Sequence, residues 1–267
     1  MAVPMSAATL KKILQDEGLT VIEVKDWKTH NRNHKGSFGP VYGVMLHHTV
    51  TKGKESTVNI CYNGHAKLPG PLCHGVITKD GAIYLVSSGR ANHAGSGDAD
   101  VLAAVINEKS LPRANDARRD GNAHFYGFEC ENLGDGRDPW PAKQVDAMVK
   151  ASAAIARYYG WSAKSVIAHK EWQPGKIDPR GADFADMDKF RKEVQDQIDK
   201  PKKKELTDGM SDKEVFKAVW DTDAVPSPPS ASTHKTNKFW KASSYLKEIY
   251  ELLRQVHDLL KKIDAKK

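Results

Sequence analysis

One stretch of this chain carries groups that could bind a metal. Ala168-His169-Lys170-Glu171-Trp172-Gln173-Pro174-Gly175-Lys176-Ile177-Asp178-Pro179 sets an imidazole and a carboxylate nine residues apart, with Lys176 two residues before the aspartate. Pro174, Gly175 and Pro179 make the stretch a stiff loop, unfit for a helix interior or a central strand. A rigid loop that holds His, Lys and Asp together suits a metal site better than a core. A catalytic zinc takes three protein ligands and leaves its fourth position to water, so one more ligand must come from elsewhere. Val44-Met45-Leu46-His47-His48-Thr49 offers it, because the apolar run Val41 to Leu46 reads as a buried strand ending in a histidine. Taken singly, each group also has an ordinary role, as a rim histidine or an aspartate fixing a turn before proline.

The elements that must position these groups alternate between strand and helix. Ala7 to Glu17, with Leu10, Ile13 and Leu14, reads as an amphipathic helix closed by Gly18. Asp26 to Pro40 reads as loop and Val41 to His48 as strand. Ser56 can cap a helix running to about Tyr62. His74 to Thr78 and Ala82 to Val86 flank Lys79-Asp80-Gly81, and Asp-Gly between two apolar alternations signals a hairpin. Ala99 to Glu108 is predicted helical, Leu111 to Ala123 a charged loop, and Phe125 to Cys130 a strand. Pro141 to Tyr159 reads as a helix with Pro141 in its first turn and Gly160 beyond its end. Ser165 to Ala168 is a short strand and Phe184 to Ile198 a closing helix. The alternation implies a mixed α/β layer fold around one central sheet flanked by helices.

From Asp199 the character changes. Lys200-Pro201-Lys202-Lys203-Lys204 begins a basic linker, taken as residues 201–210, which divides a domain over 1–200 from a small helical module over 211–267. Ser211 is predicted to cap a short helix ending near Trp220, and Val225 to Asn237 to form a spacer. The last helix, Ser243 to Ile263, carries Leu246, Ile249, Leu253, Val256, Leu260 and Ile263 in steps of three and four, the seam of a coiled coil, with Leu252 and Leu259 widening it. Such a stripe must be buried on something, and self-association is favoured over packing back on the first domain.

Lys and Arg total 41 against 34 Asp and Glu, a net charge of +7. An anionic partner fits that balance, but the charge is scattered without an arginine-rich arm, so nucleic acid is not expected. Residues 201–267 hold 14 Lys and Arg against 10 Asp and Glu, or +4 of the +7, so binding of the cell wall through this basic surface is the module's alternative to self-association. No apolar run approaches the roughly 20 residues of a membrane span, and residues 1–25 lack the apolar core of a secretion signal. Cys61, Cys73 and Cys130 are odd in number without CxxC spacing and read as reduced thiols of a cytosolic product.

Six motifs in order carry a family resemblance: Val44 to Thr49, Cys73 to Gly81, His93-Ala94-Gly95, Tyr126-Gly127-Phe128-Glu129, His169 to Trp172, and Lys176 to Pro179. Over roughly residues 38 to 198 the chain resembles the zinc-dependent N-acetylmuramoyl-L-alanine amidases, which include peptidoglycan recognition proteins and phage endolysins. The resemblance implies Zn²⁺ held by His47, His169 and Asp178, with His48 facing away. It implies Glu129 as general base, chosen over Glu131 by the Gly-apolar-Glu pattern, and Lys176 steadying an oxyanion. His74 and His93 are expected either to line the groove for glycan or peptide or to serve as structural hydrogen-bonders. Some relatives place a tyrosine where Cys73 stands, which leaves the acid-base work here to Glu129. The implied activity is hydrolysis of the amide between N-acetylmuramic acid and L-alanine in bacterial peptidoglycan by a phage-type endolysin, cytoplasmic until released to the wall. Alternatives are a non-catalytic peptidoglycan-binding protein, a cytosolic amidase of wall recycling, and a peptidase cutting another wall amide.

Overall fold

The computed structural model describes residues 2–201, 211, 213–214, 217, 220, 225–227, 235–236 and 238–264. The chain falls into two compact units, Met1–Lys200 and Pro201–Lys267.

The first unit is built on a six-stranded mixed sheet. Its strands are β1 (Val21–Glu23), β2 (Gly43–His48), β3 (Gly75–Ile77), β4 (Ile83–Leu85), β5 (Phe125–Cys130) and β6 (Val166–Ala168), in the spatial order β1-β4-β3-β5-β2-β6. Only the β3–β4 hairpin is antiparallel; β6, β2, β5 and β3 run parallel. The hairpin turns where Asp80 Oδ1 accepts from Thr78 Oγ1 at 2.6 Å and from the Ala82 N–H at 3.3 Å.

Both faces of the parallel strands are buried, and alternation along each strand divides its residues between them. Val44, Leu46, Tyr126, Phe128, Val166 and Ala168 join the large core beneath α1 (Ala7–Asp16), α4 (Ala142–Tyr159) and α6 (Met187–Asp199). Met45, Phe125 and Ile167 face the other way, against α3 (Ala99–Ile106) and the four-residue helical turn α5 (His169–Trp172). On that same side α2 (Lys54–Asn63) lays Cys61 against Cys73 and Val76. Caps follow the sequence: Ser6 accepts from Thr9 N–H ahead of α1, and Asp98 from Asp100 and Val101 ahead of α3.

Several predicted bounds shift. The second helix starts at Lys54, with Ser56 inside it bonding the carbonyls of Lys52 and Gly53. The closing helix starts at Met187 because Asp186 caps it, after a separate 3-10 turn over Ala182–Phe184. The stretch after Ala168 opens as a helical turn rather than a loop, since the Glu171 carboxylate accepts the Ala168 N–H at 2.9 Å.

In the second unit Val225–Pro226 pairs antiparallel with Phe239–Trp240, so the predicted spacer is partly ordered by a short bridge. Helix α7 (Ala242–Asp264) follows. Ser211 and Glu214 form a reciprocal capping box, with Ser211 N–H to Glu214 Oε2 at 2.8 Å and Glu214 N–H to Ser211 Oγ at 3.4 Å. The rest of the helix predicted to Trp220 lies largely outside the described residues, as does most of the basic linker. Among the described residues no helix is long and apolar enough to cross a membrane.

Candidate active site

Parallel pairing brings the chemistry to one edge. His47 on β2 is the register partner of Glu129 on β5. Ala168 pairs with Leu46, so His169 follows beside His47. Three strands therefore deliver His169, His47 and Glu129 at their carboxyl ends, where open α/β sheets place their clefts. Asp178 returns through the loop after α5, tied down by the Lys170 N–H donating to its carbonyl at 2.9 Å.

His47 Nδ1, His169 Nδ1 and Asp178 Oδ2 form a triangle with all three sides 3.0 Å. Partners fix the tautomers. The Phe125 carbonyl can only accept, so His93 Nε2, 3.1 Å away, carries a proton and His93 Nδ1 is an acceptor. His47 Nε2, 3.1 Å from that Nδ1, must donate. Neutral His47 then turns a bare lone pair into the triangle. Three mutual contacts need three shared hydrogens, and the rings supply at most one, from His169. A cation removes the conflict. Tetrahedral zinc, with bonds near 2.0–2.1 Å, holds its donors roughly 3.3 Å apart, so two imidazoles and a carboxylate at this spacing fit it. These three are also the group that could hold a metal among the described residues.

Ionisation agrees with that donor set. Burial, then the neighbouring His169, pushes His47 down to about 4, which keeps it neutral. Burial alone would raise the Asp178 carboxyl, but the adjoining His169 and His47 hold it well below the usual carboxylate range. Buried His169 Nε2 has no hydrogen-bond partner.

Glu129 Oε1 lies 4.0 Å from His47 Nδ1, and its buried Oε2 is unpartnered. Its side chain is 16% exposed. Burial, reinforced by Cys61 and Asp178 and opposed by Lys176, raises its pKa well above the usual carboxylate range. Glu131 is spoken for: it accepts from the Gly53 N–H at 2.9 Å and the Lys79 N–H at 3.1 Å, joining two loops. Lys176 is exposed on the loop, and its charge is felt by both His47 and Glu129. His48 lies outside the triangle, its Nδ1 accepting from the Arg180 N–H at 3.1 Å.

His74 and His93 do not line a groove. His74 is fully buried, with Nδ1 accepting from the Gly127 N–H at 2.9 Å and Nε2 donating to the Gly89 carbonyl at 2.8 Å. His93 is buried between His47 and Phe125, and acts by orienting His47. Its ring occupies the space that a side chain at Gly127 would need, since a Cβ there would lie 2.4 Å from His93 Nδ1. Asn122 was not evident from the sequence; its Oδ1 accepts from the N–H groups of His93 and Ala94 at 2.8 and 2.9 Å and holds that ring in place. Arg191 grips Glu171 through two bonds of 3.0 Å and steadies the turn that presents His169.

His74 makes a pH prediction. Burial pushes its pKa down to about 4 from 6.5, and a proton on Nδ1 would face the Gly127 N–H. Between these values the unfolded chain binds a proton that the folded one does not, so stability falls as pH drops through the window. At pH 5 the loss is about 2 kcal/mol relative to pH 7. Urea unfolding of metal-free wild type and metal-free His74→Gln at both pH values isolates this contribution; the same pH-dependent shift of midpoint in both proteins would refute it.

Fold and site define a mixed α/β protein whose parallel strands converge on a His-His-Asp donor cluster with a half-buried glutamate beside it. The family model for N-acetylmuramoyl-L-alanine amidase matches residues 37–181. The chain belongs to that family, and the matched span contains all three donors and Glu129. Among solved structures it is similar to a mutant endolysin from Bacillus subtilis, at 18% identity and TM-score 0.45, covering 66% of this chain and 99% of that one. The N-acetylmuramoyl-L-alanine amidase LysC from Clostridium intestinale URNW shows 17% identity and TM-score 0.43, covering 66% and 97%. The Ph2119 endolysin from Thermus scotoductus MAT2119 bacteriophage Ph2119 shows 14% and 0.42, covering 65% and 98%. No curated protein matches the sequence.

Proposed function

We propose that residues 1–200 cleave the amide joining the lactyl group of N-acetylmuramic acid to L-alanine in bacterial peptidoglycan, with His47, His169 and Asp178 holding a zinc ion. The 3.0 Å triangle beside an unpartnered Glu129 oxygen carries this reading. Zinc bound there supplies a water acidic near pH 7 and polarises the scissile carbonyl.

The remaining work falls to the chain. Glu129 takes the attacking water's proton on its carboxylate and returns it to the departing alanine nitrogen. Lys176 sets a positive charge beside the carbonyl oxygen as that atom becomes negative. His93, held by Asn122, keeps the His47 lone pair aimed inward.

The second unit makes the whole a phage-type endolysin in this reading, retained in the producing cell until release to the wall. Residues 201–210 serve as a basic linker, and 211–267 as a module that self-associates through α7. Repeated units on one particle then bind the wall by avidity.

Digestion of purified walls tests the activity, with new amino termini labelled and identified. Alanine alone is expected. Another new terminus moves the cleavage to a different wall amide. No product from zinc-loaded protein that still sediments with walls would leave a binding protein. Preference for small soluble muropeptides over intact wall would point to recycling.

A further inference from the structure

Helix α7 presents a face too wide for a two-stranded coil. Leu246, Leu253 and Leu260 form one column along it, and Ile249, Val256 and Ile263 a second, in alternating steps of three and four. Leu252 and Leu259 form a third column on the far side of the second. These eight side chains are between 48% and 63% exposed. Ahead of them, Trp240 packs edge-on against Tyr245 at the helix start, 5.5 Å between ring centroids. The opposite face is charged and solvated, with Arg254 paired to Glu251 at 3.1 Å. The helix therefore has a single face to bury.

Resting on the reading of α7 as the self-association segment, we propose that its occupant is three further copies of the same helix, so that the protein is a tetramer joined by a four-helix bundle. Two arguments fix the number. A two-stranded coil buries two columns, and in either register it leaves a leucine column in water: Leu246, Leu253 and Leu260, or Leu252 and Leu259. A face of three columns matches the core-facing helices of a bundle. Independently, the alternating seam places leucine at every first position and a β-branched residue at every second. Leucine at the first core position with isoleucine at the second disfavours dimers and shifts coils to trimers and tetramers. The third column extends the apolar face toward a further neighbour, which selects four. Each particle then displays four amidase units.

Light scattering on the full chain tests this. The expected mass is four times 29.6 kDa, or about 118 kDa. Leu252→Ser with Leu259→Ser narrows the face to the two columns of the Leu/β-branched seam and should yield a trimer of about 89 kDa, three times 29.6 kDa. Leu253→Asp with Leu260→Asp should yield monomers, while cleavage of a soluble muropeptide stays at the wild-type rate. A wild-type dimer or trimer overturns the tetramer and leaves self-association standing. A wild-type monomer overturns both and returns the stripe to packing within its own chain. A Leu252→Ser, Leu259→Ser variant still at 118 kDa would overturn the argument from width.

Discussion

His169→Ala is expected to abolish zinc binding and wall cleavage together. The variant removes one of three converging donors and leaves His47 Nδ1 and Asp178 Oδ2 facing each other at 3.0 Å. With two protein ligands the site falls below the three that catalytic zinc centres use, so affinity should drop by well over 100-fold. His93→Ala supplies the graded comparison. It keeps all three donors but frees His47 Nε2 from its partner, a change that typically weakens metal affinity 10–100-fold. Zinc retained after dialysis against a chelator series ranks the two. Far-ultraviolet circular dichroism should be unchanged for His169→Ala, because the α5 turn is held by Glu171 and Arg191 rather than by the imidazole. Full zinc content in that variant would end the ligand assignment.

Two of the three clustered donors were legible because apolar runs stop beside them: Val41 to Leu46 before His47, and Val166 to Ala168 before His169. What the runs do not encode is which strands lie side by side. The pairing of His47 with Glu129 is a property of register, and it sets Glu129 beside the donors while Glu131, two residues on, bonds the Gly53 and Lys79 N–H groups. The groove position expected of His93 rests on the family resemblance, and no local pattern in the sequence marks its burial. The missed signal was Gly127, since a glycine inside an apolar strand often marks the close approach of another group. Here that group is the His93 ring. Strand β1 escaped notice because three residues give no measurable alternation and its place at the sheet edge comes entirely from pairing with β4. The α5 turn was hidden by Pro174 and Gly175, which mark where it stops but say nothing of the Glu171 bond that starts it. The Asp-Gly hairpin and the long α4 were plain, because turn chemistry and helical periodicity are local.

Glu129→Gln is expected to keep zinc and fold while turnover falls by about 10²- to 10⁴-fold, the usual worth of a positioned proton carrier. Glutamine matches the carboxylate in shape but cannot accept the proton, so the loss reports chemistry rather than packing. In the wild type, activity should decline on acidification, because the base form of Glu129 disappears as it takes up a proton. The residual activity of the variant should lack that limb. Stability should move the other way. Above pH 4.5 an unfolded Glu129 releases its proton and the folded one retains it until its raised pKa, so native stability falls as pH rises through that interval. Removing the ionisable group removes this penalty, and metal-free Glu129→Gln should melt higher than wild type at pH 7. Glu131→Gln should do the reverse, since its carboxylate satisfies two backbone N–H groups and its loss loosens the Gly53 and Lys79 loops. Opposite shifts in melting, with the turnover loss confined to Glu129, would assign the proton to one carboxylate and the scaffold to the other. Near wild-type turnover in Glu129→Gln would move the proton to a different group.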